Sequence, residues 1–166
     1  MTRTVSNAFK AAAFAQQTDE VWIVLLTLSH PDFTDDIRIA SDPFEDLPTA
    51  GVKGVVSRGT EYIYMPFSLS LPNMDDTGVS RATISVDNIG RQVTAAIRSA
   101  SSDVTIGIEV VLASDVDTVE ISIPDFKLRS VSFDAYTVEG ELSMEYFDLE
   151  PFPAGRFTPS GYIGLF

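Results

Sequence analysis

The sequence predicts a mainly β protein with one or two helices: an antiparallel β-sandwich or barrel flanked by a helix. Three observations predict it. Runs in which every second residue is apolar recur from Gly51 to Tyr146, the period of strands with one buried and one wet face. Gly, Pro, Asn and Asp separate those runs, as turns between strands require. One stretch alone, Ile89 to Ala100, carries a well-marked helical period.

That helix belongs to the stretch around which the chain is organised, Thr83 to Val111. Thr83-Ile84-Ser85-Val86 alternates as a strand. Asp87 and Asn88 then offer side-chain oxygens to the first unpaired N–H groups of a helix. Ile89, Val93, Ala96, Ile97 and Ala100 share one helical face, with Arg91, Gln92, Thr94 and Arg98 on the other. Ser101-Ser102-Asp103 ends the helix, and Val104 to Leu112 alternates again. The helix is expected to lie across a sheet and close one side of the core.

Taken in order, Asn7 to Gln17 is Ala-rich, with Phe9, Ala12, Ala13 and Gln16 at helical spacing and Ser6 or Asn7 placed to cap it. Val21 to Leu28 is apolar on both faces, which marks a central strand covered on two sides. Ser29 to Phe33 turns, since the residue before a proline avoids the helical region. Ile37-Arg38-Ile39 is a short strand, and Phe44 to Thr49 a loop. Gly51 to Ser57 and Glu61 to Tyr64 form a hairpin about Arg58-Gly59. Phe67 to Leu71 alternates, and Pro72 to Val79 is polar loop. Beyond the central unit, Thr118 to Ile123 is a strand and Pro124-Asp125 a turn. The apolar phase then slips near Arg129-Ser130, the mark of a bulge, before a last strand from Val138 to Tyr146.

Residues 1–147 thus read as one domain with an N-terminal helix, and 148–166 as an extended C-terminal arm. Pro151, Pro153 and Pro159 with Gly155, Gly161 and Gly164 forbid regular structure there, yet the arm is rich in large apolar side chains. Disordered tails are poor in aromatics, so the arm is expected to dock in a groove, here that of a neighbour. Phe152, Phe157, Tyr162, Ile163, Leu165 and Phe166 are the candidate interface residues.

At 166 residues the chain is long enough to bury about 70% of its unfolded surface without a staple. It has no cysteine, which excludes disulfides, thiolate metal sites and thiol nucleophiles. The net charge of −13, with 11 basic against 24 acidic residues, opposes the counterion release that drives nucleic-acid binding. It opposes attraction to anionic membranes equally. No apolar run approaches the ~20 residues of a membrane helix, so no membrane insertion is expected, and Ala8 to Ala15 is too short for a secretory signal.

No chemistry stands out. His30, the single histidine, sits in a His-Pro turn with no Gly-x-Ser-x-Gly elbow to supply a nucleophile. Asp115, Asp117 and Glu120, and Asp32, Asp35 and Asp36, have a faint calcium-loop spacing but fall short of six oxygens and a turn glycine. Asp75-Asp76-Thr77-Gly78 is similar. Among 24 acids some carboxylate pair is always at hand, so pairing points to no glycosidase. Trp22 lies inside an apolar strand and is expected in the core. No metal, cofactor or catalytic residue is assigned.

Five segments in this order, EVWIVLLTLSHPDFTDDIRIASD, SRGTEYIYMPFSLSLP, ATISVDNIGRQVTAAIRSA, ASDVDTVEISIPDFKLRSV and EPFPAGRFTPSGYIGLF, resemble a family of uncharacterised minor tail proteins. That family is encoded in the tail-tip gene clusters of long non-contractile-tailed, lambda-like bacteriophages. The resemblance spans nearly the whole chain. Its most specific parts are the His-Pro turn before Ile37-Arg38, the Val86-Asp87-Asn88-Ile89 helix entry, and the ending Phe157-Thr158-Pro159 to Gly164-Leu165-Phe166. It implies a tail-tube-like fold and a structural role in the virion, assembled in the host cytoplasm. The role is that of a distal-tail or hub ring subunit of the tail tip or baseplate, joining the tube to the hub or fibre. The partners implied are those tail proteins and further copies in a homo-oligomeric ring, with DNA only as passing cargo. Some hub proteins of lambda-like tails hold an iron–sulfur cluster on cysteines, and a role here would have to lack it. The alternative is a carbohydrate-binding β-sandwich for host-surface recognition, with Tyr62, Tyr64 and Tyr136 as its aromatic platform. A cell-wall enzyme would be left with carboxylate chemistry alone.

Overall fold

The computed structural model describes residues 5–48, 51–70, 82–87, 92–134 and 137–143. A helix α1 (Asn7–Phe14) leads into β1 (Trp22–Ser29), β2 (Ile37–Ala40), β3 (Glu45–Asp46), β4 (Lys53–Ser57), β5 (Thr60–Tyr64), β6 (Phe67–Ser70) and β7 (Ala82–Asp87). Then come α2 (Gln92–Ser99), β8 (Val104–Leu112), β9 (Asp115–Phe133) and β10 (Thr137–Ser143). Among the described residues the ten strands hydrogen-bond into one sheet, in the order β3-β4-β5-β2-β1-β8-β9-β10-β7-β6. The protein is mainly β and flanked by helices, as the alternation predicts. The sheet is mixed rather than wholly antiparallel, because β2 pairs with β5 in parallel, Ile39 beside Ile63 and Ala40 beside Tyr64. Alternation reports that a residue run is a strand and carries nothing about its direction relative to a neighbour.

Strand β1 explains how one sheet makes a sandwich-like body. Its alternate residues enter different cores. Leu26 and Leu28 join Ile39, Ile106, Ile108, Phe126, Leu128 and Leu142, and also Ala82, Ile84 and Val86 of β7. Strands β8, β9 and β10 separate β7 from β1 in the sheet order, so the sheet curls over this face to bring them into one core. Ile23 and Leu25 point the other way, to Ala40, Val55, Tyr62 and Val111. There the β4–β5 end of the sheet supplies the cover. The unbroken apolar run of β1 is thus a strand buried on both faces. Each fully buried Ile or Leu contributes about 1.5–3 kcal/mol.

Helix α2 closes the larger core at one side through Ile97, with Ala100 just beyond its end. Arg98 lies over the Phe133 ring, 4.7 Å from its centroid, which fastens the helix to β9. The expected cap at Asn88 and the first turn lie outside the described residues.

Pro124-Asp125, expected as a turn, is instead a bulge inside the 19-residue β9. Ile106 pairs with Phe126 and Ile108 with Ile123, so Pro124 and Asp125 together oppose Gly107 and β9 carries one extra residue, with Asp125 at φ 67°. Proline cannot donate to the ladder, and a bulge accommodates it without ending the strand. The second irregularity falls where the phase slip places it. Glu139 pairs with Ser132 and Glu141 with Arg129, and Ser130 takes φ 52°. The slip lets Phe126 and Leu128 on one side of it, and Val131 on the other, all pack into the same core.

Candidate functional site

The residues expected to form the interface, Phe152, Phe157, Tyr162, Ile163, Leu165 and Phe166, lie outside the described residues, as does Tyr136. What can be built is the rest of the surface, beginning at the N-terminal helix. Ser6 caps α1, its Oγ accepting from the Phe9 N–H at 3.0 Å. The Ser6 N–H in turn donates to Glu120 Oε2 at 2.7 Å. Phe9 is buried and stacks on Trp22, with centroids 4.6 Å apart and planes 20° apart. Trp22 was expected in the core but is 45% exposed. It opens β1 beyond the reach of β2, whose pairing begins at Leu25, so Phe9 is its cover. Val21 beside it and Phe14 at the foot of the helix, the latter 89% exposed, are further uncovered apolar residues.

His30 has a nearly enclosed side chain, and its surroundings look superficially catalytic. Nε2 lies 2.8 Å from Ser102 Oγ, and Nδ1 lies 3.5 Å from Asp32 Oδ2. The Asp32 backbone N–H, however, donates to Nδ1 at 3.0 Å. The neutral ring therefore carries its proton on Nε2 and donates to Ser102, the reverse of what a general base needs. Asp32 is turned to Ser101, accepting from its N–H at 2.9 Å and its hydroxyl at 2.6 Å. Those bonds, the side-chain one foremost, hold the Asp32 carboxyl below its ordinary value of 3.8. The cluster clasps the turn after β1 to the turn before β8. Ser102 was invisible as a partner in the sequence, being 72 positions from His30.

The acidic runs disperse in the same way. Asp117 accepts from the Arg58 N–H, Glu120 from Ser6, and Asp36 pairs with Arg38 at 3.3 Å. Among the described residues no three His, Asp or Glu side chains gather as a metal site would need. Tyr62 is 5% exposed in the smaller core, so it cannot share an open platform with Tyr64.

A denser constellation surrounds the β4–β5 turn. Arg58 (φ 51°) and Gly59 (φ 74°) both take positive φ, the two-residue hairpin turn that follows strand twist. The Arg58 guanidinium pairs with Glu109 of β8, and that pair raises its already high pKa. The buried Ser57 hydroxyl donates to Val116 O at 2.6 Å. These bonds tie the hairpin to β8 and β9. Beneath it lies a cavity of about 430 Å³, lined by Thr27, Arg38, Thr60, Gly107, Glu109 and Ser122 among others. A second hollow, of about 470 Å³, lies on the wet face of β6, β7, β10 and β9, among Ser68, Ser85, Ser132, Glu139 and Glu141.

This mainly β body, with its helical flank and its network of clasps, is matched over residues 8–157 by the model of a family described as "Domain of unknown function (DUF1833)". The match covers most of the chain, and the protein belongs to that family. It runs past residue 147 and takes in the first part of the arm. No curated protein matches the chain.

Proposed function

We propose that this protein is a structural subunit of a phage tail tip, a distal-tail or hub ring component that joins the tail tube to the hub or fibre and surrounds the DNA path. The supporting observation is a single curled sheet flanked by helices, as the tail-tube-like resemblance implies, bearing exposed apolar residues Phe14, Val21 and Trp22 beside α1. A closed ring requires head-to-tail contacts between unlike surfaces of neighbouring copies. The α1 foot and the arm 148–166 supply such surfaces. The net charge of −13 would let DNA slide past without sticking. In this reading the protein acts in the virion, after assembly in the host cytoplasm, and performs no reaction.

The test is a chain ending at Arg156, compared with the full chain in virion assembly and in sedimentation with neighbouring tail proteins. The truncated chain should fold as a monomer and fail to assemble. Normal entry of that chain into virions would refute the role of the arm.

A further inference from the structure

We propose that the cavity under the β4–β5 hairpin binds a small polyhydroxylated monocarboxylate, a ligand of the sugar-acid class. Gly107 carries the argument. It lies in the middle of β8, a central strand, where glycine costs about 0.5–1 kcal/mol relative to alanine. Two other strand glycines are explained by crowding. A Cβ on Gly54 would collide with the Tyr62 carbonyl and sit 2.9 Å from Leu47 Cδ1, and one on Gly140 would collide with Leu128. A Cβ on Gly107 would meet only the Thr27 carbonyl oxygen, at 4.0 Å, an ordinary contact. Neither crowding nor a positive φ calls for glycine there; across the ladder it faces the Pro124-Asp125 bulge. What its missing side chain does is leave open the floor of the 430 Å³ cavity. A mid-strand glycine marks a bulge or a place where another molecule approaches the backbone, and here the Pro124-Asp125 bulge opposite Gly107 itself borders the cavity.

The lining defines the ligand. The volume is in the lower part of the ~300–1,000 Å³ range of small-molecule sites, enough for a six-carbon acid. Two guanidinium groups, Arg38 and Arg58, face one carboxylate, Glu109, so the lining carries one net positive charge in a chain of −13. Arg58 is engaged by Glu109. Arg38 pairs with Asp36 at a long 3.3 Å, both side chains about two-fifths exposed, an ion pair that contributes little. Arg38 is therefore the group that meets a ligand carboxylate, as its planar fork suits. The Thr27, Thr60 and Ser122 hydroxyls and Glu109 offer donors and acceptors to ligand hydroxyls. This proposal does not rest on a role in the tail tip, and its failure leaves that reading as it stands.

The test is NMR titration of the full chain with glucuronate, following the Gly107 and Thr60 amides, with glucose and acetate as probes lacking the charge or the hydroxyls. Glucuronate should give saturable shifts at these amides and bind at least tenfold tighter than either control. Arg38→Gln should weaken it about tenfold, and Asp36→Asn should strengthen it a few-fold by releasing Arg38. Gly107→Ala should abolish it while leaving the melting temperature unchanged or higher. No saturable shift with glucuronate, equal binding of glucose, binding that survives Arg38→Gln, or a lowered melting temperature in Gly107→Ala would each overturn the proposal.

Discussion

Glu120 and Ser6 are 114 positions apart, yet the buried carboxylate of the one accepts the backbone N–H of the other at 2.7 Å. The bond fixes the residue that caps α1 to the inner part of β9. Removing the acceptor strands a donor at the point where the chain enters the helix. Glu120→Ala should cost about 1–3 kcal/mol, and Glu120→Gln, which keeps an acceptor oxygen, markedly less. Amide exchange of α1 under native conditions gives the sharper reading. Both Glu120→Ala and Phe9→Ala should raise exchange across α1 far more than in β1 or β8, because each loosens a local dock. Uniform acceleration through the sheet would show that the helix unfolds only with the whole protein.

The strand glycines should separate by the neighbour each would strike. At Gly54 the obstacle is the Tyr62 backbone in a paired strand, which cannot move without breaking the β4–β5 ladder. At Gly140 it is the far end of Leu128, a side chain that can turn. Gly54→Ala should therefore leave little folded protein, while Gly140→Ala should lose about 1–3 kcal/mol, the usual cost of overpacking. Urea unfolding of the two variants measures the order, and the reverse order would contradict the packing described.

Much of this architecture is legible in the chain, and the illegible parts share a cause. The two-faced burial of β1, the Ser6 cap, the Arg58-Gly59 turn and the slip near Ser130 all depend on residues close in sequence, so periodicity and turn chemistry reach them. The parallel β2·β5 pair, the curl that brings β7 onto β1, and the Ser102–His30 bond depend on residues that the fold alone makes neighbours. Trp22 escapes the core for the same reason: its strand is apolar throughout, but its cover depends on where β2 stops. Pro124-Asp125 shows a further ambiguity, since a proline signals either the end of a strand or a bulge within it, and only the register of β8 decides. Glu120 gives no local signal of its burial: it falls on the polar phase of its strand with Thr118 and Ser122, and its partner Ser6 is 114 positions away.

Asp32 gives a pH prediction with a definite sign. Its carboxyl is held below 3.8 by Ser101, so the bonds stabilise the folded chain fully while the group is ionised in both states, above that value. Their contribution falls away as pH drops through the lowered folded-state value. Urea midpoints of the wild type and Ser101→Ala should therefore differ by a constant amount at neutral and mildly acidic pH and converge in stronger acid. A gap that persists unchanged at the acid end would place the stabilisation in something other than the Asp32 charge.

The Arg58 turn sets two effects against each other. A non-glycine residue at φ 51° costs roughly 1–2 kcal/mol, and asparagine tolerates that region better than arginine. Local conformation alone therefore predicts that Arg58→Asn stabilises the hairpin. The guanidinium, however, pairs with Glu109, whose side chain is 24% exposed and would be left as a partly desolvated charge without its partner. The single variant should consequently be no more stable than the wild type. In Arg58→Asn with Glu109→Gln the stranded charge is gone and only the turn gain remains. That double variant should be more stable than Arg58→Asn, with a coupling of about 0.5–3 kcal/mol between the sites in thermal or urea unfolding. Strict additivity would mean that the pair contributes nothing to stability.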